Sequence, residues 1–279
     1  MTVWQLSRFG LAGALLGALA ACAAPPSDER LHSTLWVQTS AEYAVASFQV
    51  FSLAAAQADA AIADPAWTAL PDIQSWEPDL PVAVITDVDE TILDNSAFTA
   101  RNILADRQYT GEAWDRWVSE QDADAVPGAV RYLDWLANQR GVTVFYVTRR
   151  KAIHEAATRG NLAKLGFPLS ASKDTLLMDD ERPGWGSQKN ARRREIAQRY
   201  RVIQVFGDNL SDFMDLPATA SPEFRLQRAR DTEPMWGTRW FLIPNPIYGD
   251  WETSLMDGLD PATEEDEALR RKLGGLEPY

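Results

Sequence analysis

The stretch Val82-Ala83-Val84-Ile85-Thr86-Asp87-Val88-Asp89-Glu90-Thr91 carries the fold of this chain. An apolar, largely β-branched run of this length suits a parallel strand buried on both faces, and acids follow it at once. Comparable runs lie at 142–147, 175–178, 202–206 and 240–243, the last closed by Pro244. Helical stretches fall between them, near 127–138, 151–165 and 188–199. Such alternation predicts an α/β fold, a Rossmann-like parallel sheet flanked by helices. Sites in these sheets sit at the carboxyl ends of the strands.

The residues at those ends are chemically coherent. Asp87, Asp89 and Thr91 follow the first run, Thr148-Arg149-Arg150 the second, and Gly207-Asp208-Asn209-Leu210-Ser211-Asp212 the fourth. Lys189 opens a helix as Lys189-Asn190-Ala191-Arg192. Carboxylates gathered on one edge repel each other and need a cation, and oxygen-only ligands suit Mg²⁺. Phosphoryl transfer needs metal, lysine and hydroxyl or amide donors, and a carboxylate can attack phosphorus to give an aspartyl phosphate. Taken singly, Thr148 also reads as a helix-capping hydroxyl and Lys189 as a solvated helix residue.

Composition narrows the classes. With 46% hydrophobic and 24% charged residues in 279, the chain is globular, not disordered or fibrous. A net charge of -13, from 27 basic and 40 acidic residues, argues against a nucleic-acid polymer as partner. Two histidines, His32 and His154, and one cysteine, Cys22, exclude an internal disulfide and leave little for zinc or histidine-based phosphatase chemistry. No repeat or long linker divides residues 31–279. Residues 31–63 lack Pro and Gly and read as an N-terminal helical segment, one helix or two, with Leu35, Ala44, Phe48, Phe51 and Leu53 as its expected buried face.

The four strand-end motifs, in order, resemble those of the haloacid dehalogenase (HAD) superfamily of phosphohydrolases. The likeness extends to Trp36-Val37-Gln38, Ser40-Ala41-Glu42-Tyr43, Trp114-Asp115-Arg116-Trp117, Pro127-Gly128-Ala129 and Asn245-Pro246-Ile247-Tyr248-Gly249. These segments resemble the class C bacterial acid phosphatases, which include the outer-membrane lipoprotein 5′-nucleotidases. The resemblance implies that Asp87 is the nucleophile and Asp89 the general acid and base. It implies Mg²⁺ held by Asp87, the Asp89 carbonyl and Asp208, with Asp212 completing the four-aspartate set. Thr148 and Lys189 would hold the phosphoryl oxygens. Many family members have Asn after the threonine, so Arg149 either supplies a charged donor in its place or points to solvent. Glu90 and Asp94 are expected as supporting or capping residues and His154 as structural.

A small helical cap, approximately 96–127, would cover the site. Phe98, Trp114, Trp117 and Tyr248 read either as core or as an aromatic slot stacking a nucleobase. The expected substrate is a small phosphomonoester, a nucleoside monophosphate above all. The competing readings are a phosphotransferase on the same scaffold and a non-catalytic surface lipoprotein.

Residues 1–21 carry Arg8 and then a Leu/Ala/Gly run ending in Leu19-Ala20-Ala21-Cys22. This resembles a bacterial lipoprotein signal with its lipidated cysteine; the alternative is an ordinary signal peptide with a chance cysteine. The expectation is cleavage before Cys22, a tether over 22–30, and a lipid anchor in the cell envelope; Ala rather than Asp at residue 23, by resemblance to enterobacterial lipoprotein sorting, implies the outer membrane.

Overall fold

The computed structural model describes residues 28–74, 79–217, 219–256, 258–259 and 264–277. The expected signal, Cys22 and most of the tether lie outside these. In the helical segment, Ser40 turns the backbone extended and its hydroxyl accepts the Tyr43 N–H. This cap divides the segment into α1 (Arg30–Thr39) and α2 (Ala41–Ala63). β1 (Val82–Thr86) follows, then β2 (Leu93–Asp94), α3 (Ser96–Leu104), α4 (Gly111–Glu120) and β3 (Asp124–Ala125). Next come α5 (Ala129–Arg140), β4 (Thr143–Lys151), α6 (Glu155–Leu165) and β5 (Leu176–Asp179). The chain continues through α7 (Asn190–Ala197), β6 (Arg201–Gly207), α8 (Pro222–Asp231), β7 (Trp240–Leu242), α9 (Asp250–Thr253) and α10 (Glu265–Gly274).

The main sheet has the order β5-β4-β1-β6-β7, and every neighbouring pair in it is parallel. β1 is central because the chain winds first to one side of it and then to the other. That reversal opens a crevice at its carboxyl end. Both faces are covered, as the side-chain alternation requires. Val84, Val144, Tyr146, Ile203 and Phe206 pack into one apolar core, and Ala83, Ile85, Phe145, Val147 and Val205 into the other. Between β1 and β4, the antiparallel ribbon of β2 and β3 brackets α3 and α4.

α2 is long and apolar enough to cross a membrane, yet one side of it lies on the sheet. Its buried side is Tyr43, Ser47, Phe51, Ala54, Ala58 and Ala61, at steps of three and four. This corrects the expected face. Leu35, Phe48 and Leu53 are exposed, and among the named residues only Phe51 is fully buried. The large apolar side chains mislead because the alanines let the helix approach closely. Phe51 then reaches the sheet and stacks on Phe206 at 5.8 Å, which stacks on Phe241 at 5.1 Å. Below them Gln204 is fully buried, accepting the Tyr132 hydroxyl and donating to the Ala54 carbonyl at 2.8 Å.

Phe51→Ala is expected to cost about 3–5 kcal/mol. Phe48→Ala, three residues away, should cost about 1 kcal/mol or less. Urea unfolding of the two variants checks which face of α2 is buried.

Candidate active site

Asp87 follows β1 directly, and its N–H donates to the Phe206 carbonyl at 3.0 Å. Asp208 follows β6, Asp212 ends a single 3₁₀ turn (Leu210–Asp212), and Lys189 precedes α7. Carboxylate oxygens of Asp87, Asp208 and Asp212 all lie within 4.8 Å of one another. The Lys189 ammonium is buried between two of them, against Asp87 and 2.6 Å from Asp212. Thr91 Oγ1 donates to Asp208 at 3.1 Å, and Asn245 Nδ2 donates to its other oxygen at 2.9 Å.

Three carboxylates and one ammonium leave this buried cluster short of positive charge. Burial pushes the Asp87 carboxyl up to about 6; Lys189 pulls it back while Asp212 and Asp89 push it further. Burial, with Asp212 and Asp87 alongside, drives Asp208 well above the usual carboxylate range. Burial also opposes the Lys189 charge, but Asp212 and Asp87 hold that ammonium above the ordinary lysine value. An all-oxygen, electron-rich pocket of this kind fits a hard divalent cation.

The Asp89 carboxylate turns away from the cluster. Arg150, buried beneath the ring of Trp114, forks onto it with Nε at 3.0 Å and Nη2 at 2.7 Å. Asn95 donates to the same carboxylate at 2.8 Å, and Asn95 in turn accepts the Trp117 indole N–H. Arg150 also donates to Thr158 Oγ1 at 3.1 Å. Thr148 is fully buried, and its hydroxyl accepts the Arg150 N–H at 3.0 Å. The motif spacing assigned no role to Arg150 or Asn95. Asn95 does lie in the stretch from Asp87 to Ser96 that resembles the family, and Arg150 is the second arginine after Thr148.

α7 holds more of the site than Lys189. Arg192 is fully buried and donates to the carbonyls of Thr148 and Gln188. Arg193, its neighbour, donates to the carbonyls of Ser211 at 2.8 Å and Asp212 at 2.9 Å. One helix therefore carries the lysine motif and fixes the backbone of the second and fourth.

The expected aromatic slot divides. Phe98 is almost fully buried, edge-on to Trp114 at 5.3 Å, and Trp117 is core. Trp114 and Tyr248 keep exposed ring surface, and Tyr109, which sequence reasoning did not select, stands edge-on to Phe98. The Tyr248 hydroxyl donates to Glu90, whose other oxygen accepts the Asn95 N–H at 2.9 Å. Burial, reinforced by Asp89 and Asp208, drives the Glu90 carboxyl well above its usual range. Asp94 accepts the Ser96 N–H at the start of α3. His154 is buried, with Nε2 2.9 Å from Asp115 on α4. The Arg149 side chain is partly exposed, and it is paired rather than free in solvent. Its guanidinium forks onto Asp250 at 3.0 and 2.9 Å.

A carboxylate cluster and lysine at the carboxyl edge of this sheet define an aspartate-based phosphoryl-transfer fold. The sequence profile of HAD superfamily subfamily IIIB, acid phosphatase, matches residues 22–251, and the chain belongs to that family. The class C acid phosphatase from Bacillus anthracis, solved with tungstate bound, superposes with a TM-score of 0.78 and 30% identity over 90% of this chain and 97% of that one. A stem 31 kDa glycoprotein of Glycine max is 25% identical over 168 residues, and acid phosphatase 1 of Solanum lycopersicum is 25% identical over 165. The matches span 58% and 57% of those two plant relatives and 59% of this chain.

The raised Asp87 and Asp208 carboxyls bind protons in the folded protein that the unfolded chain releases. Without a cation, stability should therefore fall as pH rises from the ordinary carboxylate range through about 6. A divalent cation competes with those protons. The rise in Tm on adding Mg²⁺ should thus be larger at pH 7 than at pH 5, and a scanning calorimetry series checks this.

Proposed function

We propose that the chain is a Mg²⁺-dependent, lipid-anchored phosphomonoesterase that favours nucleoside 5′-monophosphates. The observation that carries this reading is the buried aspartate cluster bridged by Lys189. The tungstate in the Bacillus anthracis relative supports it, since tungstate is an oxyanion like phosphate. In the first step an Asp87 oxygen attacks phosphorus, the ester P–O bond breaks, and Asp89 protonates the departing alkoxide. In the second, the Asp89 carboxylate takes a proton from water, the water oxygen attacks phosphorus, and the bond to Asp87 breaks. Arg150 and Asn95 fix the direction of the Asp89 carboxyl for both steps.

Thr148 and Lys189 donate to the phosphoryl oxygens. Asp87, Asp208 and the Asp89 carbonyl, with Asp212, would hold Mg²⁺, which when bound would supply positive charge beside the phosphoryl oxygens. The segment containing α3 and α4 serves as a small cap. Trp114 and Tyr248 offer the leaving group an aromatic slot, with Phe98 as the buried backing of Trp114.

Asp87→Asn should lower turnover by about 10⁴-fold or more while far-UV circular dichroism stays unchanged. Retained turnover would refute the nucleophile assignment. A panel of nucleotides, sugar phosphates and aryl phosphates, each with and without Mg²⁺, tests the substrate class.

The family match begins at residue 22, which supports reading residues 1–21 as a removed signal and Cys22 as the lipidated residue of an envelope, outer-membrane protein. Cys22→Ala should abolish incorporation of a labelled palmitate analogue and move the protein out of the membrane fraction.

A further inference from the structure

The segment after β7, residues 244–250, crosses the mouth of the site like a strap. It is fastened at four points. Asn245 donates to Asp208, Ile247 is buried against Val37 and Tyr43, Tyr248 donates to Glu90, and Asp250 receives Arg149. The last fastening is the strongest in geometry. Both guanidinium Nη atoms of Arg149 meet the two Asp250 oxygens, and Nη2 also donates to Ser211 Oγ at 2.9 Å. Ser211 Oγ itself lies 2.9 Å from Asp250, so the three side chains close a ring. Such a planar fork fixes direction as well as distance.

Gly249 separates Tyr248 from Asp250 and stands at φ 154° and ψ 177°. Only glycine adopts this backbone freely, and a Cβ there would lie 2.9 Å from Trp251. Glycine has little backbone preference of its own. Tyr248 is held on its own side of the glycine by Glu90 and by buried Ile247, and Asp250 gives the strap a second anchor beyond it. Arg149 grips that second anchor, and it follows Thr148 directly on β4.

We infer that Arg149 is a positioning residue for substrate selection. By gripping Asp250 it holds Tyr248 over the leaving-group side of the site, and it leaves the phosphoryl group to Thr148 and Lys189. This rests on the reading of Tyr248 as part of the substrate slot. Arg149 thus braces the second motif against the strap. The consequence is selectivity for esters whose leaving group is large enough to meet Tyr248.

The test compares Arg149→Asn, Asp250→Asn and the double variant in Mg²⁺, with a nucleoside 5′-monophosphate and with methyl phosphate. Arg149→Asn should raise KM for the nucleotide about fivefold, in keeping with a partly exposed ion pair, and leave KM for methyl phosphate and both kcat values unchanged. Asp250→Asn should match it, and the double variant should exceed neither single. Hydrogen exchange should speed up at residues 248–252 and nowhere else. A fall in kcat for both substrates, or an equal rise in both KM values, would show that Arg149 serves the phosphoryl group and overturn the inference. Unchanged exchange at 248–252 would overturn it as well. Tyr248→Ala is the control. If it fails to separate the two substrates, the slot reading falls, and the exchange result, which needs no substrate, still decides whether Arg149 holds the strap.

Discussion

Everything at this site depends on one buried ammonium. Lys189 lies between Asp87 and Asp212, and without it three carboxylates would crowd one largely buried pocket. Charges in such surroundings cannot stay ionised unless they are paired. Lys189 compensates part of the excess, and the uncompensated remainder is what calls for a divalent cation. The strain is visible in the raised carboxyls of Asp87 and Asp208. Stability and chemistry pull against each other here. The cluster is a poor way to build a core and a good way to bind a metal and a phosphoryl group.

Lys189 can serve this purpose because α7 is itself nailed down. Arg192 and Arg193 both end on backbone carbonyls, and those carbonyls belong to the residues that carry the donors and acids of the site. A buried guanidinium is costly unless its donors are met, and carbonyls meet them without adding a counter-charge. The carbonyl bonds therefore rigidify the loops, and Arg193 also meets the Asp215 carboxylate. Arg150 works within the site. It meets a carboxylate, Asp89, and keeps that acid apart from the cluster.

Much of this was legible in the sequence. Asp87, Lys189, Asp208 and Asp212 converge because each follows a strand or opens a helix, and strand ends can be read from apolar runs. The five strands fell where those runs lie. Long-range partners were not legible. Arg149 meets Asp250 and Arg150 meets Asp89 across stretches of chain that carry no local signal of the pairing, and a long flexible side chain chooses among several neighbours only in three dimensions. The buried face of α2 was misread for a related reason. Side-chain size suggested Phe48 and Leu53, but close approach to the sheet favours alanine, and Ala54, Ala58 and Ala61 took that face.

The two-residue ribbon of β2 and β3 has a wider meaning. Leu93 pairs with Ala125 and Asp94 with Asp124, so the chain that leaves the sheet after β1 returns to nearly the same point. The sheet thus experiences a short closed connection whatever length of chain lies beyond the ribbon. Lengthening such an excursion costs little, about 0.6 kcal/mol for each doubling. Insertions beyond this junction can therefore be accommodated with little disturbance to the sheet that positions Asp87 and Asp208.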